Sequence, residues 1–493
     1  MIEEFNGLDE LPQGWIRTQL GEIAEVILGQ SPPSSTYNED GRGLPFYQGK
    51  LEFGKSYPTP RKWCTTPKKT AEKGDVLISV RAPVGPTNVC PEKSCIGRGL
   101  AAIRGLGGIE TLFILYLLRA LENEIARRGT GTTFSAIGGD KLKELEIPLP
   151  PFNEQVRIIA KLEELFACLD AGVEGLRKVK VQLKRYRQAV LKYAFEGKLT
   201  EEWRKTHRDQ IEPATKLLER IREVRKDTKF KELQPIDTID LPILPEEWTW
   251  ARIGEIAESM RNGVYKPEKF YGNNGVACLR MYNIENGAIV WKDVKRMNLT
   301  PEEIEFYELK PGDILVNRVN SRELVGKAAA IPSGLERCVY ESKNIRLRLL
   351  QDYANSKYVN FWFLMYGQKF FSRNAQQTVG MASINQEQLA SMPIPLCHPN
   401  EQTMVVEKIE RLFSIADEVE RIATESIEHA DKMRQSILKM AFEGKLVPQD
   451  PSDESAEKLL ERIREEREKS RGENGINRRK NKPKQLELSS YVK

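Results

Sequence analysis

No run of 18 or more apolar residues occurs in the 493-residue sequence, which excludes a membrane-spanning helix. The opening, MIEEFNGLDELPQGW, is acidic and lacks the apolar stretch of a secretory leader, so a cytoplasmic protein is expected. Histidine is scarce. The three present, His207, His398 and His429, do not cluster in sequence with cysteine. The seven cysteines are odd in number and scattered, which fits reduced thiols. Cys90 and Cys95 form a lone pair without a second pair or a nearby histidine, so no metal site is expected. Net charge is only +5, which permits a nucleic-acid partner without arguing for one.

Catalytic signatures are missing too. There is no GxxxxGK[ST] phosphate loop, no G-x-S-x-G elbow and no kinase set. IRGLGGIE (103–110) lacks the G-x-G-x-x-G order and reads as a loop. SPPS (31–34) and LPPF (149–152) do not make the N/D-P-P-Y/F motif that methyl transfer needs. Asp75 and Asp313 stand in matching "GD" pairs before strand-like runs, where a turn-forming role is favoured. No catalytic residue is expected.

What the chain does contain is itself, twice. LKYAFEGKL at 191–199 returns as LKMAFEGKL at 438–446, an offset of 247. PFNEQ (151–155) answers HPNEQ (398–402), and KLEELF (161–166) answers KIERLF (408–413). LPQGWIRTQLGEIAE (11–25) matches LPEEWTWARIGEIAE (244–258), and LLERIREVRK (217–226) matches LLERIREERE (459–468). Between these, about 26–133 and 259–380 differ in length and wording. The length bounds two or more domains. The repeat divides them as domain 1 (1–150), a first helical region (151–243), domain 2 (244–397), a second helical region (398–469) and a polar, partly basic tail (470–493) expected to be disordered.

The matching parts predict long helices at 153–195 and 400–442, with short ones near 213–226 and 455–469. Asn153 can cap the first, Pro148, Pro150 and Pro151 hold the preceding chain out of it, and Gly197 suits its left-handed stop. A heptad seam runs through Leu162, Leu165, Leu169, Leu176, Val179, Leu183 and Tyr186. Its counterpart runs through Ile409, Leu412, Ala416, Val419, Ala423, Ala430 and Met433. Large residues opposite small ones interdigitate, which favours pairing of the two helices within one chain. The alternative is that each packs on its own globular domain. The fold class expected is therefore α/β (α+β) domains in tandem duplicate, separated by long α-helices in an intramolecular antiparallel coiled coil, pseudo-two-fold overall.

The differing parts read as mixed α/β. Strand-like runs lie at 75–81, 99–104, 313–319 and 344–350, and apolar helical segments at 111–128 and 355–373. Their loops scatter the side chains that read base edges or hold phosphates. In the first domain these are Gln30, Ser31, Tyr47, Gln48, Lys50, Arg61, Lys62, Arg81 and Arg98. In the second they are Arg261, Asn262, Tyr265, Arg280, Tyr282, Asn283, Arg318, Asn320 and Arg322. Polar loops of this kind also occur on proteins that bind no DNA. Two positions pair across the copies: 47–49 with 281–283, and Arg81 with Arg318.

Two differing α/β units, each followed by a near-identical helix that opens on PFNEQ or HPNEQ and ends AFEGKL, resemble the specificity subunit of type I restriction–modification systems. The most specific pieces are EIPLPPFNEQ with MPIPLCHPNEQ and the paired AFEGKL. The resemblance implies two target recognition domains, each reading half of a bipartite double-stranded DNA sequence, spaced by the coiled coil. It implies a non-catalytic prokaryotic chain that docks methyltransferase subunits, two of them expected, and through them restriction subunits. S-adenosylmethionine, ATP and magnesium would then belong to the partners. A DNA reader fused to a methyltransferase or nuclease, and a coiled-coil scaffold without a DNA role, are the rival readings.

Overall fold

The computed structural model describes residues 11–130, 135–225, 235–239, 241–378 and 380–480. These form two compact units. One joins residues up to Leu176 with those from Thr424 onward, and the other is Arg177–Ala423. The long helices Phe152–Phe195 and Pro399–Phe442 each contribute one end to each unit.

In the first unit, a four-stranded antiparallel sheet runs in the order Ala24–Leu28, Leu100–Gly105, Val76–Ser79, Thr87–Val89. Alternation decides its packing. Val76 and Ile78 face a core with the helix Thr111–Ala120, while Leu77 faces a second cluster with Tyr47 and Ile96. Those two residues belong to a five-stranded mixed sheet in which Leu44–Tyr47 runs parallel to Ser94–Ile96. The second unit repeats the plan with different residues. Ala257–Asn262, Asn344–Leu349, Ile314–Asn317 and Ala328–Ala330 form the antiparallel sheet, and Val276–Leu279 runs parallel to Cys338–Tyr340. Ile314 and Val316 face the helices, and Leu315 the second sheet. The helical segment expected at 355–373 is Ser356–Trp362 and Gln368–Asn374 joined through a π-helical turn. None of the seven cysteines is paired in a disulfide.

The repeated phrases meet one another. Each domain closes on a two-stranded ribbon, Ile16–Gln19 with Glu146–Leu149 in the first and Thr249–Arg252 with Pro393–Leu396 in the second. The glutamates of PFNEQ and HPNEQ, Glu154 and Glu401, are buried beside the ribbons. Trp15 Nε1 donates to Glu154 Oε2 at 3.0 Å, and Gln449 Nε2 to its other oxygen at 3.1 Å. Burial pushes the Glu154 carboxyl above its usual range. Glu401 accepts from Trp248 Nε1 at 2.9 Å, Thr200 Oγ1 at 2.7 Å and Arg204 Nε at 3.0 Å. Gln155 and Gln402 each donate back to the carbonyl five residues earlier, at 3.0 and 2.9 Å.

AFEGKL closes the same knot. Gly197 (φ +68°) and Gly444 (φ +69°) take the left-handed turn that ends each helix. A Cβ on Gly197 would stand 2.4 Å from Pro245, and one on Gly444 2.2 Å from Pro12. The end of the first copy thus seats on the LPEEW of the second, and the end of the second on the LPQGW of the first. The short helices follow suit. Ala214, Leu217, Leu218 and Ile221 join the core of domain 2, and Ala456, Leu459, Leu460 and Ile463 that of domain 1. Nothing stops the last helix at 469, since the next proline is Pro483, and it runs on to Lys480; the tail at 481–493 lies outside the described residues.

The long helices pair antiparallel in each unit. Leu162, Phe166 and Leu169 pack with Ile437, Leu438 and Ala441, and Val190, Leu191 and Ala194 with Val405, Ile409 and Leu412. The same clusters include the globular domains, so each helix packs on its partner helix and on a domain at once. The seam departs from strict heptads. Ile409, Ala416, Ala423 and Ala430 are buried and Leu176, Val179 and Leu183 half-buried, but Tyr186, Val419 and Met433 are 40%, 38% and 42% exposed. The residues one step on turn inward instead. Arg187 bridges to Asp417 and Glu420 at 2.6 and 2.9 Å, and Arg434 lies over the Phe166 ring with Asp170 at 2.7 Å. A helix of 3.6 residues per turn drifts ahead of a 3.5-residue repeat, which moves the inward stripe by about that much. The expected Asn153 cap is also absent, because the helix begins at Phe152 and Asn153 donates to Asp453 at 3.1 Å.

Candidate nucleic-acid interface

Because Leu44–Tyr47 and Ser94–Ile96 run parallel, both release their next residues at one edge of domain 1. The antiparallel sheet delivers two more segments there, 29–31 and 79–82. Backbone bonds lock the four together: Gln30 N–H to Ile96 O at 3.0 Å, Gly97 N–H to Tyr47 O at 2.8 Å and Val80 N–H to Gly99 O at 2.9 Å. Glycine is obligatory at two crossings. A Cβ on Gly99 would lie 2.1 Å from Gln48 O, and one on Gly29 2.2 Å from Gly97 O. The result is a cleft of about 280 Å³ lined by Ser31, Gln48, Lys50, Arg81 and Arg98, together with Ser79.

Five residues predicted from loop chemistry therefore share one cleft. Its cations are uncompensated: Lys50, Arg81 and Arg98 are exposed and form no ion pair among the described residues. The nearby Glu52 is engaged by the backbone N–H groups of Gln48 and Gly49 at 3.3 and 3.0 Å, and Asp75 by a two-pronged bond from Arg104 at 2.9 and 2.8 Å. Asp313 is held likewise by Arg348, and each aspartate also accepts a backbone N–H three residues earlier, at 2.8 Å, as turn formers do. Gln30, Arg61 and Lys62 are exposed outside the cleft lining. Tyr47 is a correction. It is fully buried between the sheets, since the strand alternation points it away from the edge.

The second domain brings the equivalent segments together, with Gly263 N–H bonded to Asn344 O, Val264 N–H to Tyr340 O and Arg318 N–H to Lys343 O. Strand pairing corrects both matches expected between the copies. Tyr47 and Leu279 end corresponding parallel strands, so Leu279 is the counterpart of Tyr47. Ser79 pairs Leu100 as Asn317 pairs Asn344, which makes Val319 the counterpart of Arg81. Arg318 is one residue early and therefore on the other face. It is half-buried and bonds the carbonyls of Ser342 and Ile384 at 3.3 and 3.4 Å.

Other predicted residues there are engaged internally. Asn283 is buried and donates to Val290 O and Lys292 O, both at 3.0 Å; Asn320 is buried and donates to Asn317 Oδ1 at 2.8 Å. Arg261 lies 3.6 Å over the Phe306 ring, Arg322 donates to Ser372 O at 3.3 Å, and Asn262 accepts from Gln386 at 3.2 Å. Tyr265 and Tyr282 stand out, 81% and 58% exposed. Arg280 sits beside Tyr282, its guanidinium 4.8 Å from the ring, and is bonded to Glu341. Loop chemistry alone does not single out Glu341 or the exposed Lys343. Counting both copies from the "GD" turn through the strand pairing does, because it places ESK (341–343) where domain 1 has GRG (97–99).

The fold and these edges can be set beside known proteins. The model of the type I restriction modification DNA specificity domain matches twice, at residues 12–178 and 245–429. The specificity subunit of the type I restriction enzyme EcoDI from Escherichia coli is 25% identical over 472 residues, 94% of this chain and 97% of that protein. The crystal structure of the HsdS subunit from Thermoanaerobacter tengcongensis superposes with a TM-score of 0.51 at 18% identity, over 90% of this chain and all of that one. A chain from a structural study of complex assembly and conformational transition of the type I R-M system gives 0.62, also at 18% identity, over 88% of this chain and 99% of that one. The chain belongs to the type I restriction modification DNA specificity domain family and carries its domain in two tandem copies.

Proposed function

We propose that this chain is the specificity subunit of a type I restriction–modification complex, and that each recognition domain reads one half of a bipartite DNA target. The observation that carries the reading is the domain 1 cleft, where uncompensated Lys50, Arg81 and Arg98 stand beside Gln48 and Ser31 on a rigid strand edge. Cations supply affinity for phosphates, and paired donors and acceptors discriminate base edges. The paired helices set the gap between the half-sites and dock the methyltransferase subunits, expected to be two, with restriction subunits joining through them. Methyl transfer and cleavage reside on those partners, which hold S-adenosylmethionine, ATP and magnesium.

A 44-residue helix is roughly 66 Å long at ~1.5 Å per residue. Half-sites one DNA turn apart need ~34–36 Å. Genome-wide methylation mapping, in cells with and without this chain, tests the reading. Exchanging residues 26–133 for another such unit is expected to change one half-site only. Adding one heptad to both long helices, on matching turns, is expected to lengthen the gap by about one to three base pairs and leave the half-sites alone, since seven residues add ~10 Å. An unchanged gap defeats the spacing role. Methyl transfer by the purified chain alone, given S-adenosylmethionine and DNA, defeats its assignment as a non-catalytic subunit.

A further inference from the structure

The arginines of domain 2 are engaged in different ways. Arg296 uses both terminal nitrogens on Glu336, at 2.7 and 2.9 Å. Arg261 donates through Nη1 to Phe306 O, and Arg318 through Nη1 to Ser342 O. Arg280 is held otherwise. Its Nε donates to Glu341 Oε2 at 3.2 Å, and among the described residues neither of its terminal nitrogens makes a hydrogen bond. Glu341 is only 5% exposed, and its other oxygen accepts Met281 N–H at 3.0 Å, so the carboxylate cannot swing away. The guanidinium lies 4.8 Å from the Tyr282 ring and 5.7 Å from the Tyr271 ring, with the side chain 25% exposed. One edge is pinned, the flanks are occupied by rings, and the two Nη groups form a fixed fork.

We infer that Arg280 reads a guanine in the half-site of domain 2, and that Glu341 is its positioning residue. The inference rests on the reading of domain 2 as a DNA reader. Two parallel N–H donors match guanine, which offers O6 and N7 as adjacent acceptors in the major groove. Adenine would set its amino group against one prong. Thymine and cytosine offer no such pair. The fork could also meet two phosphate oxygens, which would give affinity without base preference. Holding the fork rigid keeps the ordering cost out of the binding step, which is what a recognition contact needs.

The test uses the full chain co-expressed with its methyltransferase partners in a host without their methylation, followed by mapping of the modified positions. The half-site of domain 2 is identified by exchanging that domain. It is expected to contain a G·C pair. Arg280→Lys and Arg280→Gln are expected to relax that one position, with the preference for G·C falling roughly ten- to a hundred-fold, while the other half-site stays as it was. Glu341→Gln should relax the same position to a smaller degree, an outcome that a merely structural ion pair would not give. The inference is overturned by a half-site without G·C, by an unchanged motif in both Arg280 variants, or by equal loss at every position of both half-sites, the signature of a phosphate contact. A wild-type map with no two-part motif sinks instead the reading beneath it.

Discussion

Replacing Glu401 with alanine is expected to destabilise the unit that contains it by about 3–5 kcal/mol, the cost of breaking a buried ion pair from one side. Glu401 is 1% exposed and accepts from Trp248, Thr200 and Arg204. Arg204 has a side chain only 8% exposed, and its remaining bond goes to the carbonyl of Gly197. Without the carboxylate, a buried cation, an indole N–H and a hydroxyl are deprived of their acceptor together. Glu154 occupies the equivalent place in the other unit but is bonded by the neutral donors of Trp15 and Gln449. Glu154→Ala should therefore cost less, about 1–3 kcal/mol, the penalty for buried neutral groups. Denaturant unfolding of the two variants, following the transition of each unit, checks the order. Equal losses would show that the charge of Arg204 is not what makes the second knot costly.

The double substitution Arg81→Ala, Arg98→Ala is expected to weaken binding of the assembled complex to its target duplex by roughly 2–6 kcal/mol, since each well-placed bond to a base is worth about 1–3 kcal/mol. That is a loss of about thirty-fold at the least. Both side chains line one cleft and neither is neutralised by a neighbouring carboxylate among the described residues. The fold should not suffer, because both are exposed and Gly97 and Gly99, which shape the crossing, are retained. Titration of a labelled duplex at two salt concentrations separates the terms. If the arginines hold phosphates, the salt dependence falls by nearly one power for each phosphate no longer neutralised; if they hold base edges, the weakening is confined to the cognate sequence. Binding within about threefold of the unsubstituted chain would remove the cleft from the interface. Arg322→Ala, whose side chain is tied to Ser372 O, provides the contrast and should change little.

Much of this arrangement is legible in the chain because repetition exposes what must stay fixed. The NEQ and AFEGKL phrases recur because Glu401, Gln402 and Gly197 each occupy places that few other residues could fill. What the phrases touch is hidden: Pro245 comes from the other copy's opening and Trp248 lies 153 residues before Glu401 in its own copy, and no local pattern reveals partners so far away. Heptad spacing identifies the seam at Leu162, Ile409, Ala416, Ala423 and Ala430. It misleads at Tyr186, Val419 and Met433, where the drift of a 3.6-residue helix replaces an apolar neighbour with Arg187 or Arg434. In the strand edges, residue type identifies the cleft of domain 1, but composition cannot tell inside from outside. A one-residue register difference separates the exposed Arg81 from the half-buried Arg318, and only strand pairing resolves it.

One unit is a single stretch of chain, Arg177–Ala423, whereas the other borrows its last pieces from beyond Thr424. Of the two domains, the one made earlier must therefore wait with part of its core uncovered. Phe442, whose ring lies 5.7 Å from that of Phe113, and Ile463 are made long after Leu176. At ~5–20 residues per second the delay is on the order of 15–60 s. Birth order and completion order are inverted: the second domain is finished before the first, and until the helix Ala456–Lys480 arrives the older of the two surfaces is the one that chaperones and proteases will find.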